Sequence, residues 1–467
     1  MADCFAARPD ARTIPITRLT RDQVDKWTKQ QPAGLAAWVR DSGFEARPGA
    51  VLLIPGQLLA KSSTKNAIGA VLAGTNGPDD IWSWGAIGAA LPTGRYAIDG
   101  KPGAKEATRL AIGWGLGAYR FGRYKETDAQ GATLVIPAQA DKGAVVRTVS
   151  SVTLTRDLIN TPASDMGPAE LADAARALAR EFKATFKVTV GDKLLRDNFP
   201  SIHAVGRASV REPRLVDFKW GRPGDPKITL VGKGVCFDTG GLDLKGASGM
   251  LMMKKDMGGA ANVLGLARMI MMAGLRVRLR VLIPAVENSV AGNAYRPMDV
   301  IKTRKGLTIE IGNTDAEGRV VLSDALALAA EEKPAMILDF ATLTGAARVA
   351  LGTGLPAMFA NDDALANAFL TCGVAEDDQV WRMPLWQPYR ALIDSRVADM
   401  NNAGSVPQGG AITAALFLES FVEDDIPWAH FDIMAWNRNS QPGKPEGGEA
   451  MAIRTAFAVI ARQVKNK

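Results

Sequence analysis

Leu307-Thr308-Ile309-Glu310-Ile311, then Asn313-Thr314-Asp315-Ala316-Glu317-Gly318-Arg319, then Val320-Val321-Leu322-Ser323-Asp324-Ala325-Leu326: this is the stretch around which the rest of the chain reads. The first run alternates apolar and polar side chains and predicts a strand, and the last reads as a helix. Strand, turn and helix in that order make one unit of an α/β fold. Between them Asp315 and Glu317 stand two residues apart, where an extended backbone points both carboxylates to one side. Two oxygen donors on one side are half of a metal site. The same residues also suit an acidic helix start, where carboxylates meet unpaired backbone N–H groups.

The surrounding sequence extends the pattern. From residue 226 onward, apolar runs at 228–232, 277–283, 309–312 and 335–339 predict strands; 260–272, 320–330 and a segment from about Gly345 predict helices. This alternation argues for a catalytic-size α/β domain with a central, largely parallel sheet, helices on both faces and ligands at the carboxyl ends of the strands. Residues 1–145 read as a smaller α/β domain, with strands at 51–55 and 133–137 and an amphipathic helix at 105–114. A long helix over 145–160 stops at Thr161-Pro162, and another starts at Pro168 with Leu171, Ala174, Ala175 and Leu178 on one face. The domain junction is placed there, giving 1–145 and 146–467.

Composition narrows the function classes. A chain of 467 residues exceeds a single core, and 47% hydrophobic with 22% charged residues is ordinary for a globular protein. No apolar run reaches about 18 residues, and Met1-Ala2-Asp3-Cys4-Phe5 lacks a basic region followed by an apolar core, so the expectation is a cytoplasmic chain without a membrane span. Cys4, Cys236 and Cys372 are scattered without metal-ligand spacing. Only two histidines exist, His203 and His430, and His430 sits in the apolar run Trp428-Ala429-His430-Phe431 as a core residue. A Ser-His-Asp hydrolase is therefore disfavoured, and any metal must be held mainly by carboxylates. Residues 1–150 hold 19 Lys and Arg against 13 Asp and Glu. That excess permits nucleic-acid binding, but the charges are single and not interleaved with aromatics, which favours a solvated surface.

Two further stretches carry candidate chemistry. Lys233-Gly234-Val235-Cys236-Phe237-Asp238-Thr239-Gly240-Gly241-Leu242-Asp243-Leu244-Lys245 begins where the strand at 228–232 ends, and its glycines let backbone approach a ligand. Met253-Lys254-Lys255-Asp256-Met257 places Asp256 just ahead of a helix, as an N-cap or as a ligand. Asp238, Asp256, Asp315 and Glu317 are four loop carboxylates in one domain, beside Lys233, Lys245 and Arg319. Such a set suits two divalent ions about 3.5–4 Å apart that activate a shared water.

The heptapeptide Asn313–Arg319 resembles the signature of the leucine aminopeptidase (cytosol aminopeptidase) family of two-zinc metallopeptidases. The likeness continues through Val231-Gly232-Lys233-Gly234, Phe237-Asp238, Lys245, Met253-Lys254, Asp256-Met257, Glu287-Asn288, Gly292-Asn293-Ala294-Tyr295-Arg296-Pro297, Ala341-Thr342-Leu343-Thr344-Gly345-Ala346, Ala398-Asp399-Met400 and Ile412-Thr413-Ala414-Ala415, in the family's order. It implies a macro-like N-terminal domain with an oligomerisation or regulatory role, a homohexamer, and release of N-terminal residues from peptides with a free N-terminus. It implies that Lys233, Asp238, Asp256 and Glu317 hold one ion and Asp315, Glu317 and Asp238 the other, as Zn2+ or Mn2+. By the same resemblance Lys245 polarises the scissile carbonyl, and Arg319 holds a bicarbonate ion that relays a proton. Met253, Asn313, Thr342 and Leu343 match substrate positions, implying a preference for Leu, Met or another apolar first residue. The chain departs from the family at Phe431-Asp432-Ile433-Met434-Ala435-Trp436, which lacks the usual Ala-Gly pair, and at Gly443-Lys444-Pro445-Glu446-Gly447-Gly448. A DNA-binding role for the basic N-terminal domain is the alternative.

Overall fold

The computed structural model describes residues 4–59, 68–125 and 131–465; Met1–Asp3 of the leading stretch discussed above lie outside the described residues. The chain forms two compact units, Met1–Thr153 with Arg438–Glu446, and Leu154–Asn437 with Gly447–Lys467. The division falls inside the helix Lys142–Asn160, which runs until Pro162 removes the next donor. The return of Arg438–Glu446 to the first unit has no counterpart in the sequence reading.

The first unit is built on a six-stranded sheet of β1 (Phe5–Ala6), β2 (Ile14–Leu19), β3 (Val51–Pro55), β4 (Ile68–Gly74), β5 (Gly94–Ile98) and β6 (Ala132–Val135), in the order β1-β6-β5-β2-β4-β3. All neighbours are parallel except β3 and β4. Ile16, Val71, Tyr96 and Leu134 from the sheet share one core with Trp84, Leu110 and Trp114 from helices Trp82–Ala90 and Ala104–Gly117.

The second unit contains β7 (Thr185–Val190), β8 (Arg214–Trp220), β9 (Lys227–Gly232), β10 (Gly234–Asp238), β11 (Arg278–Asn288), β12 (Val300–Lys302), β13 (Thr308–Glu310), β14 (Met336–Ala341), β15 (Ala357–Ala360), β16 (Trp381–Arg382), β17 (Met400–Asn401) and β18 (Trp428–Asp432). Its main sheet runs β16-β15-β18-β14-β9-β11-β8-β7, with β18, β14, β9 and β11 mutually parallel at the centre. These central strands are apolar on both faces, as a sheet covered on both sides requires.

One irregularity makes the site. The long strand β11 pairs with β9 along Arg278–Leu282 and then with β10 along Ala285–Asn288. β14 follows β9 as far as Gly232, where Lys233 N donates to Phe340 O, and among the described residues β10 is paired only with β11. The sheet therefore parts at the carboxyl ends of β9 and β14, the usual place for a ligand crevice. Helix Gly258–Met272 lies close over this point: a Cβ on Gly259 would stand 2.0 Å from Phe340 O and 2.8 Å from Lys233 N, so only glycine fits.

Two expectations are corrected here. The strand before the heptapeptide is only Thr308–Glu310 and belongs to a separate sheet, antiparallel to β12 and parallel to β17. Asp315 and Glu317 are not on extended backbone: Thr314–Ala316 is a 3-10 turn and Glu317 begins the helix Glu317–Ala330. Asn313 caps that turn, its Oδ1 accepting from Asp315 N at 2.7 Å, and the winding of the turn, not strand alternation, gathers the two acids. Farther along, Asp324 accepts from the backbone N–H groups of Ser201 (2.9 Å), Ile202 (3.3 Å) and Arg304 (2.8 Å), anchoring the helix to the protein interior.

Candidate metal centre

Lys233 occupies the turn between β9 and β10 and is 3% exposed. Its Nζ lies 2.7 Å from Asp256 Oδ2 and 2.8 Å from Glu317 Oε1. Burial works to discharge the amine, but the carboxylates of Asp256, Glu317 and Asp238 outweigh it and hold the proton more tightly than usual. The room for this side chain comes from Gly318, where a Cβ would stand 2.7 Å from both Lys233 Cε and Nζ.

Asp238 ends β10. Its Oδ1 accepts from Gly240 N and from Asn288 Nδ2, each at 2.9 Å, while Oδ2 faces Lys245 Nζ at 2.9 Å. Burial, reinforced by Asp256, pushes its carboxyl up to about 6 against the pull of Lys233 and Lys245. Glu317 is driven well above the ordinary range by burial and then by Asp238. For Asp256, burial is outweighed by Lys233 and Lys255, and its carboxyl stays below the usual value. Asp256 is not a helix cap: Oδ1 accepts from Thr342 Oγ1 at 2.7 Å and Oδ2 pairs with Lys233. Lys245 bridges Asp238 and Asp315, and these carboxylates hold its proton more tightly than usual although burial opposes them.

One ligand oxygen from each of Asp238, Asp315 and Glu317 can be chosen so that all three lie within 4.8 Å of one another. Asp256 stands behind this trio across Lys233. Apart from the Lys233 ammonium, Asp256 Oδ2 and Glu317 Oε1 have no hydrogen-bond partner among the described residues. Buried carboxylate oxygens left in that state are costly unless a cation completes them, and an oxygen-rich set with one amine suits a hard or borderline divalent ion.

Arg319 follows on the helix, its Nη1 donating to Asn402 O at 2.7 Å and its Nε without a hydrogen-bond partner among the described residues. Burial lowers its pKa to about 10. Thr342 and Leu343 lie in the loop after β14, Leu343 N donating to Asp432 Oδ1 at 3.0 Å. Met253 opens the 3-10 segment Met253–Met257 and is half-buried. His430 is a core residue, its Nδ1 2.6 Å from Asp339 Oδ1.

Residues 153–457 match the cytosol aminopeptidase family, catalytic domain, and residues 14–137 match the M17 aminopeptidase N-terminal domain. The chain belongs to the cytosol aminopeptidase family. It is therefore a hydrolase of the aminopeptidase type. A probable cytosol aminopeptidase of Roseiflexus castenholzii is 44% identical over 376 residues, covering 76% of each chain. One of Rhodopseudomonas palustris is 40% identical over 455 residues, covering 91% of this chain and 90% of that one. The crystal structure of cytosol aminopeptidase from Coxiella burnetii superposes with a TM-score of 0.94 at 49% identity, over 99% of this chain and 100% of that chain. The bottromycin maturation enzyme BotP in complex with Mn superposes with a TM-score of 0.85 at 34% identity, over 97% of this chain and 100% of its own. Among the described residues no helix of this family member is long and apolar enough to cross a membrane.

The residues singled out in the sequence converge: Lys233, Lys245, Asp238, Asp256, Asp315 and Glu317 are linked by direct contacts. What sequence reasoning assigned no role is the layer behind them, Asn288, Tyr295, Thr314, Asp432 and Asn402. Only the family resemblance touched Asn288 and Tyr295, since a lone Asn at a strand end carries no local signal.

Proposed function

We propose that this chain is a metal-dependent aminopeptidase that removes an apolar first residue, Leu or Met, from peptides with a free N-terminus in the cytoplasm. The observation that carries the reading is the convergence of Asp238, half-exposed Asp315 and Glu317 beside buried Lys233 and Asp256. Lys233, Asp238, Asp256 and Glu317 would hold one Zn2+ or Mn2+ ion, and Asp315, Glu317 and Asp238 the other. Two such ions would supply an activated water and Lewis-acid polarisation of the scissile carbonyl.

The protein's own groups do the rest. Lys233 ligates only as the free amine, so its proton leaves on loading, and the affinity rises with pH. Lys245 keeps its ammonium proton between Asp238 and Asp315 and offers it to the developing oxyanion. The unpartnered Nε of Arg319 supports the assignment of a small anion there, with bicarbonate as proton relay in place of a histidine base. Met253, Asn313, Thr342 and Leu343 border the place of the first side chain. The reading includes a homohexamer, tested by sedimentation, and an oligomerisation or regulatory role for residues 1–145.

The test is hydrolysis of a panel of aminoacyl amides and dipeptides with Zn2+ or Mn2+, before and after chelation, beside N-acetylated peptides. The expected result is activity lost on chelation, restored by metal and confined to free N-termini. Activity that survives chelation, or that cleaves the acetylated peptides equally, overturns the reading.

A further inference from the structure

The heptapeptide turn and the loop bearing Asp238 and Lys245 come from separate parts of the chain, and one buried side chain joins them. Asn288 is fully buried at the carboxyl end of β11. Its Nδ2 donates to Asp238 Oδ1 at 2.9 Å and to Thr314 O at 3.0 Å. Its backbone O accepts from Thr239 N at 3.0 Å and Thr239 Oγ1 at 2.8 Å, so the residue is held by the loop it holds.

Thr314 is the other half of the joint. Its carbonyl also accepts from Tyr295 Oη at 2.6 Å, its N donates to Asp243 Oδ2 at 2.7 Å, and its hydroxyl donates to Gly240 O at 2.6 Å while accepting from Asp243 N at 2.8 Å. The turn carrying Asp315 and Glu317 is thus seated on the Asp238 loop through backbone as well as side chains.

We propose that Asn288 is a positioning residue for the metal centre: its amide sets the separation and rotation of Asp238 relative to the Asp315–Glu317 turn. A carboxylate turns easily about its terminal bond. With two donors on Oδ1, Asp238 is locked so that Oδ2 faces the cluster. Asn288 Oδ1 has no hydrogen-bond partner among the described residues, so the amide acts through its N–H groups alone. Changing Asn288 to Asp removes those two donors and adds a negative charge, which separates position from charge. This inference rests on the metal-binding reading above.

The experiment is titration of the chelated full-length protein with Mn2+ alone, read by calorimetry, for wild type, Asn288→Ala and Asn288→Asp, with circular dichroism of each. Loss of a partner that orients a metal ligand weakens binding about 10–100-fold. Both variants are expected in that range, with kcat recovered in excess Mn2+ and substrate KM unchanged. Unaltered Mn2+ affinity in a folded Asn288→Ala overturns the proposal. So does tighter binding by Asn288→Asp, because a role through charge alone would have that sign. Should Asn288→Ala fail to fold, Tyr295→Phe removes the second donor to Thr314 O, and several-fold weaker Mn2+ binding is expected; no change there also overturns it. A wild-type protein that binds no Mn2+ would instead sink the metal-binding reading itself.

Discussion

Replacing Gly318 with alanine adds one methyl group against the Lys233 side chain at the metal centre. The new Cβ would stand 2.7 Å from Lys233 Cε and Nζ and 2.9 Å from Cδ. Carbon atoms rest at about 3.5 Å or more, so the lysine must retreat by about 0.8 Å. It has little freedom to do so, because its Nζ lies between Asp256 and Glu317 at 2.7 and 2.8 Å. Overpacking a tight interior costs about 1–3 kcal/mol, whereas alanine in place of glycine inside a helix returns about 1 kcal/mol. The net loss of stability is therefore small, about 0–2 kcal/mol, and the folded variant can be assayed. Function is less forgiving, since a displacement of about 1 Å at a reacting centre costs about 100-fold. We expect kcat/KM for leucine p-nitroanilide to fall about 100-fold and Mn2+ binding to weaken, while Gly345→Ala, whose Cβ meets nothing within 4 Å, stays near wild type. If Gly318→Ala keeps kcat/KM within twofold with metal content unchanged, the steric account of Lys233 placement is wrong.

Other perturbations separate chemistry from stability. Lys245→Ala should lower kcat about 100–1,000-fold with KM little changed, as loss of one oxyanion donor does, and steady-state kinetics at saturating Mn2+ will show it. Arg156→Ala should destabilise the second unit by about 3–5 kcal/mol in urea melts, because it removes the charge partner of the buried Glu449, whose two oxygens each accept from Arg156 at 3.0 Å. Asp324 offers a pH test: burial pushes its carboxyl up to about 6 from an ordinary 3.8, so the folded state holds the proton more tightly than the unfolded state. Its stabilising contribution is complete below about pH 4 and is lost as pH rises to about 6. Relative to Asp324→Asn, wild type should therefore lose up to about 3 kcal/mol between pH 4 and pH 7, measured by denaturant melts at several pH values. A flat difference would mean that its backbone donors cancel the burial.

The parts legible in the sequence were those encoded by local pattern or by chemistry-bearing side chains. The central strands are continuous apolar runs, and Pro162 and Pro168 mark helix limits that the structure keeps in Lys142–Asn160 and Pro168–Glu181. The acids and lysines of the centre were visible because four carboxylates at loop positions have few structural uses. The 3-10 turn at Thr314–Ala316 was missed because, beyond the local Asn313 cap, it is held by Asp243, Asn288 and Tyr295, which are remote in sequence. The small β12-β13-β17 sheet was missed for a similar reason: three-residue strands carry too little periodicity to assign a partner. The support of helix Glu317–Ala330 by Asp324 is likewise invisible, since an aspartate within a helix usually faces water.

The central sheet sets the order in which this site can come into being. β14 lies between β9 and β18, yet the chain reaches it only after making β9, β10 and β11, and β18 is added last of the three neighbours. Lys233 meets its backbone partner at Phe340 only when β14 has docked, and the Thr342–Thr344 loop is fixed only when Asp432 arrives with β18. Closing such long loops precedes any gain from the contacts they permit. The backbone seat of Lys233 and the fixed Thr342–Thr344 loop are thus completed only by strands that follow the ligand residues in the chain, the last of them ending at Asp432.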